Sequence, residues 1–122
     1  MEFMTTLQPR IEIDDCLFTH VEPWLDPHDL VQLWYFDGPP DTAEKVRRSF
    51  EHCTHRVMFC GHFHRWMISD AAGKTAWAGE APITLARPQR YMVVVSDMHR
   101  GYFATYDTES CELRPYRVTD KP

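Results

Sequence analysis

The sequence predicts a mixed α/β (α+β) fold, and three observations carry that expectation. Apolar residues recur at helical intervals just after residue 41, a short continuously apolar run, RVMFC, follows at residues 56–60, and strand-like runs separated by turn residues fill the chain from residue 65 onward. The 122 residues are one domain's worth of chain, and 43% apolar with 25% charged residues is ordinary globular composition. Disorder and fibrous repeats are thereby excluded as descriptions of the whole. We divide the chain into a disordered or cloning-derived tail at 1–9, a single domain at 10–118 and a short tail at 119–122.

Taken in order, RIEIDDCLFTH (10–20) reads as a β-rich run, a turn at Asp14-Asp15 and a strand, Cys16 to Thr19, that ends at His20. The next segment, VEPWLDPHDLVQLWYFDGPPD, has four prolines and Asp37-Gly38, so it reads as a packed loop with at most one helical turn at 28–34. Asp41 and Glu44 have capping-box spacing, and Ala43, Val46, Phe50 and Cys53 then recur with helical period, which predicts a helix at about 41–53. Directly after it, RVMFC is too short and too apolar for an exposed helix and suits a central strand covered on both faces. RWMISD and KTAWAGEA flank a turn at AAGK, and RYMVVVSD, GYFATYD and ELRPYRV complete a strand-rich C-terminal half. Trp66, Trp77, Tyr91, Tyr102 and Phe103 are expected to face the core.

Composition also excludes partners. A formal net charge of -5, with no basic run longer than Arg47-Arg48, argues against general nucleic-acid binding. No apolar run approaches the roughly 20 residues of a membrane span, and MEFMTTLQPR lacks the basic end and apolar stretch of an export signal. A cytoplasmic location is expected, and with it reduced, mostly buried Cys16, Cys53, Cys60 and Cys111.

Seven histidines stand out, five of them (His20, His52, His55, His62 and His64) at or near predicted element ends. On an extended segment His62 and His64 would project from one face about 6 to 7 Å apart. Two such imidazoles can each hold one ion of a pair whose metals sit about 3.5 to 4 Å apart. Gly61 beside them would permit a sharp turn and a close backbone approach. In open α/β sheets ligands gather outside the carboxyl ends of the strands, and CLFTH and VMFCGHFH both place histidine at that edge.

LFTH, a Pro/Trp loop, a helix and then VMFCGHFH resemble the C-terminal half of the calcineurin-like metallophosphoesterases, with roughly 40 residues between the lone histidine and Gly-His-x-His. RYMVVVSDMHRGYFATYD is similar to that family's closing hairpin, and the likeness covers about residues 10–118. The resemblance implies part of a β-sandwich flanked by helices and a centre of two divalent ions (Mn, Fe or Zn) that hydrolyses phosphomonoesters or phosphodiesters without a covalent intermediate. By the same resemblance His20 and His62 would ligate one metal and His64 the other.

The family's Asp-x-His, Gly-Asp-x-x-Asp and Gly-Asn-His blocks do not precede His20. Three imidazoles alone leave the repulsion between two divalent ions without an offset. The expected function is therefore a metal-dependent phosphoesterase acting on a small phosphoester, present as its C-terminal half and incomplete alone. A separate N-terminal half or a homo-oligomer is its expected partner, because a sheet cut before its first strands leaves an edge and an apolar face. The alternatives are a non-catalytic or partner-dependent module of the same fold and a structural zinc site drawn from Cys53, His55, Cys60 and His62. In a permuted arrangement, Asp97 and His99 would join His64 at a single metal; otherwise they are turn residues of the closing hairpin. Arg65 could meet phosphate or simply be solvated, and His28, His52 and His55 read as surface residues.

Overall fold

The computed structural model describes residues 10–19, 40–61, 63–97 and 100–118. Strands β1 (Arg10–Ile13) and β2 (Cys16–Thr19) form an antiparallel hairpin around Asp14 and Asp15, with Asp14 in the left-handed region (φ 54), where a short polar side chain is tolerated. The expected helical turn at 28–34 lies outside the described residues.

Helix α1 (Ala43–His52) begins one residue later than the Asp41–Glu44 spacing suggests. Thr42 caps it, its Oγ1 accepting from the Lys45 amide at 3.3 Å. Asp41 is occupied elsewhere: its backbone carbonyl accepts from the Lys74 amide at 3.1 Å, tying the helix entry to a strand. At the other end the Arg90 guanidinium donates to the carbonyls of Phe50, Cys53 and His55 and lies 4.3 Å over the Phe50 ring. A cation on otherwise orphaned carbonyls is favourable at this end of a helix.

Past the helix come β3 (Val57–Cys60), β4 (Met67–Asp70), β5 (Gly73–Lys74), β6 (Ile83–Thr84), β7 (Tyr91–Val94), β8 (Tyr102–Asp107) and β9 (Glu112–Arg117). A six-stranded sheet has the order β1-β2-β3-β7-β4-β5, and a three-stranded antiparallel sheet the order β6-β9-β8. Strands β2, β3 and β7 are parallel, with β4 and β5 running antiparallel beyond β7. The two-residue β6 had no sequence signal, being too short for alternation to register, and β5 lies inside the expected AAGK turn, while KTAWAGEA beyond Lys74 forms no strand.

Alternation along the central strands builds two cores. Leu17, Met58, Cys60, Met92 and Val94 face α1, where Val46 and Cys53 meet them. Cys16, Val57, Phe59, Tyr91 and Val93 face the smaller sheet, against Leu85, Leu113 and Trp77. The layers are thus helix, six-stranded sheet and three-stranded sheet, a β-sandwich flanked on one side by a helix. With all four residues of β3 and of β7 buried, the RVMFC reading holds. All four cysteines are buried and none is in a disulfide, and burial together with the Asp15 carboxylate pushes the Cys16 thiol up to about 12.

The aromatic expectation holds in part. Trp77 and Tyr91 are buried, whereas Trp66 and Tyr102 are half-buried and meet edge to face at 6.0 Å. Phe103 is 38% exposed and stacks on Tyr116 at 4.9 Å, because β8 alternates and position 103 falls on the outer face of the smaller sheet. Edge strand β1 likewise exposes Ile11 and Ile13.

One buried side chain joins the two sheets. From just before β3, Arg56 donates through Nε to Asp15 at 2.9 Å, through Nη1 to the carbonyls of Leu85 and Gln89 at 2.9 Å each, and through Nη2 to the Tyr106 hydroxyl at 2.8 Å. Partial burial pushes the Asp15 carboxyl up, but the hydrogen bond and charge of Arg56 outweigh it and hold it below its ordinary value.

Replacing Arg56 by methionine keeps the stem and removes every one of those bonds. The expected cost is about 3 to 5 kcal/mol, because a carboxylate and two carbonyls lose their partner. A shift in urea midpoint equivalent to less than about 1 kcal/mol would show that the guanidinium is dispensable. At Gly79 (φ +88) an added Cβ would lie 2.4 Å from the Trp66 ring. Gly79→Ala should therefore cost about 1 to 3 kcal/mol and alter the near-ultraviolet tryptophan signal, since the indole has to move.

Candidate metal centre

Parallel strands deliver their ends to one edge. The register pairs Thr19 with Cys60 and Cys60 with Val94, and the ladder continues one step as the Val95 amide donates to the Cys60 carbonyl at 2.8 Å. The residues that follow in sequence are His20 after β2, Gly61-His62-Phe63-His64 after β3, and Ser96-Asp97 after β7. This is the edge at which ligands collect in open α/β sheets. His20 and His62 lie outside the described residues, as does His99.

His64 is exposed and has left-handed backbone (φ 55). Its amide donates to the Gly61 carbonyl at 3.5 Å. The extended exit expected after β3 therefore does not continue to His64: β3 ends at Cys60 and His64 has left the strand direction before β4 begins, while the spacing of His64 from His62 lies outside the described residues. A Cβ added to Gly61 would meet only the Val95 carbonyl at 3.8 Å, an ordinary contact. Nothing described in the chain therefore presses on that side of Gly61.

Asp97 and Arg100 form the charged pair of this edge. Arg100 Nε donates to the two carboxylate oxygens of Asp97 at 2.9 and 3.1 Å, Arg100 Nη2 to the His64 carbonyl at 2.9 Å, and the Ser96 hydroxyl to Asp97 Oδ1 at 3.3 Å. The Asp97 carbonyl accepts from the amides of Arg100 and Tyr102, both at 3.3 Å, which makes Asp97 the first residue of the turn into β8. Its hydrogen bond with Arg100 holds the Asp97 carboxyl at about 2. A metal ion at Asp97 would have to displace a guanidinium from both oxygens, which disfavours the permuted single-metal arrangement.

The other sequence candidates fall elsewhere. Cys53 and Cys60 are buried in the helix-side core. His55, expected at the surface, is half-buried with Nε2 3.0 Å from Glu12 across β1, since Arg90 fixes the His55 carbonyl and the ring turns toward the hairpin. His52 and Arg65 are exposed, and His28 lies outside the described residues. Among the described residues no three His, Cys, Asp or Glu side chains are grouped to hold a metal ion. Among the described residues the donors at this edge are the His64 imidazole and the Asp97 carboxylate, which Arg100 already engages, and these two do not make a two-metal set. Sequence reading passed over Arg100, for which the i,i+3 spacing Asp97–Arg100 beside a strand end was the available signal.

Comparisons with known proteins bear on the fold. Neither a protein-family model nor a curated protein matches the chain. Among solved structures, the crystal structure of a metallophosphoesterase from Sphaerobacter thermophilus matches with a TM-score of 0.76 and 14% sequence identity, over 98% of this chain and 50% of that one. The fold is metallophosphoesterase-like. The chain spans about half the length of that structure, so this metallophosphoesterase-like unit corresponds to part of it. No helix among the described residues is long and apolar enough to cross a membrane.

The Asp97–Arg100 pair makes a pH prediction. A carboxyl lowered in the folded state contributes stability above its unfolded pKa, and that contribution is lost as pH falls through the folded value, here from about 4 toward about 2. Carboxyl carbon shifts of Asp97 should titrate near pH 2 in the wild type and near the ordinary value in Arg100→Ala. A common midpoint in both proteins would mean that the pair does not form in solution.

Proposed function

We propose that this chain is the histidine-bearing half of a metal-dependent phosphoesterase, with His20, His62 and His64 as its metal ligands and a small phosphoester as substrate. The observation that supports the reading most is the parallel register of β2 and β3, which brings the residues before His20 and before Gly61-His62 side by side at one sheet edge of a metallophosphoesterase-like fold. The metals would be two divalent ions, Mn, Fe or Zn. Imidazole suits any of the three, and the pair would polarise the phosphoryl group.

The carboxylates that offset the charge of two such ions come, in this reading, from a separate N-terminal half. The edge strand β1 with exposed Ile11 and Ile13 and the outer Phe103–Tyr116 pair are compatible with a partner. Four buried thiols outside any disulfide support a reducing, cytoplasmic setting. A second reading, a partner-dependent module without catalysis of its own, is favoured by the engagement of Asp97 with Arg100.

Calorimetric titration with Mn²⁺ or Zn²⁺ tests both. The wild-type chain should bind metal weakly and with fewer than two ions, binding should vanish in His62→Ala/His64→Ala, and the isolated chain should not hydrolyse para-nitrophenyl phosphate or its bis ester. Tight two-ion binding with turnover would overturn the half-site reading. Absence of any binding to the wild type would overturn the ligand assignment.

A further inference from the structure

We infer that Arg100 is a positioning residue for His64: anchored on Asp97, its guanidinium holds the His64 carbonyl and so fixes the backbone that carries this candidate ligand. The inference builds on the metal-ligand reading above, but its geometry stands on the chain alone.

His64 is held by more than its neighbours in sequence: Phe63 beside it packs against the helix-side core, and Arg100 reaches its carbonyl. A non-glycine residue in the left-handed region is unfavourable and persists only where its surroundings impose it. The local hydrogen bond, His64 amide to Gly61 carbonyl, is long at 3.5 Å. The contact from outside is shorter, Arg100 Nη2 to the His64 carbonyl at 2.9 Å. Arg100 is in turn located by Asp97, which follows directly on the end of β7, and Asp97 is oriented by Ser96 and by the two amides on its carbonyl. The path runs from a fully buried strand, through a carboxylate and a guanidinium, to His64.

Arginine suits this task and lysine does not, because a planar fork can address a carboxylate and a carbonyl in fixed directions at once, whereas an ammonium is a point charge. The Arg100 side chain is 54% exposed, so the pair adds little to global stability. Its effect should be local.

The test uses the whole 122-residue chain with Arg100→Lys and Arg100→Ala. Backbone chemical shifts and heteronuclear nuclear Overhauser effects of Gly61, Phe63 and His64 should report ordered backbone, left-handed at His64, in the wild type. Both variants, lysine included, should show loop-like values there while Met58 and Val93 in the core stay unchanged. Unaltered His64 signals in both variants would overturn the inference, and so would full rescue by lysine. Co²⁺ titration followed by its visible absorption adds a second readout, with affinity expected to fall roughly tenfold in both variants. If the wild type takes up no Co²⁺, the ligand reading fails while the magnetic-resonance comparison still decides the role of Arg100. If the wild type binds and the variants bind equally with His64 unmoved, the role of Arg100 fails alone.

Discussion

Everything at the histidine edge depends on a buried charge at the opposite end of the same strands. Arg56 sits just before β3, and its guanidinium reaches the β1–β2 turn, the 85–89 connection and β8 in the second sheet. A guanidinium is costly to bury and tolerable only when its donors are satisfied with good geometry. That requirement sets where Asp15, Leu85, Gln89 and Tyr106 must lie. The sandwich is thereby closed at one end, and the strand ends at the other end are left level with one another.

Much of the scaffold was legible because its elements obey local rules. The β1–β2 turn, the continuous burial of β3 and the β8–β9 strands follow from alternation and turn chemistry, and the helix missed only its cap residue. AAGK turns at Ala71-Ala72 but its Gly73-Lys74 is strand β5, and RYMVVVSDMHRGYFATYD forms no hairpin, because β7 and β8 belong to different sheets. Legibility ended where tertiary partners take over. Thr42 rather than Asp41 caps α1 because a strand claims the Asp41 carbonyl, and Phe103 is exposed because the pleat, not its hydrophobicity, decides its face. Arg56, Arg90 and Arg100 drew no reading in the sequence. Their partners lie 3 to 55 positions away in the chain, and apart from the i,i+3 spacing of Asp97 and Arg100 no local pattern announces such bonds.

At the site, sequence pattern located the edge and could not supply its geometry. The segment after β3 looked extended because His-Phe-His alternates in sequence, yet β3 ends at Cys60 and His64 has left-handed backbone. The charge at this edge is also arranged differently from what Asp97-Met98-His99 suggested in sequence. Asp97 faces a guanidinium, so the edge has no uncommitted carboxylate among its described residues. What the sequence brings to this edge is a histidine directly after β2 and two more shortly after β3, in a fold shared with a solved structure about twice as long.

The parallel register described above has a consequence for fidelity. Sliding β3 by one residue against β2 would carry the Gly61-His62 segment about 3.3 Å along the edge. The same slip would turn Met58 and Cys60 toward the second sheet and Val57 and Phe59 toward the helix, reversing both cores at once. A misaligned histidine edge cannot arise without a misassembled interior. Placement of the segment after β3 is thus proofread by the packing of four apolar side chains of the strand itself.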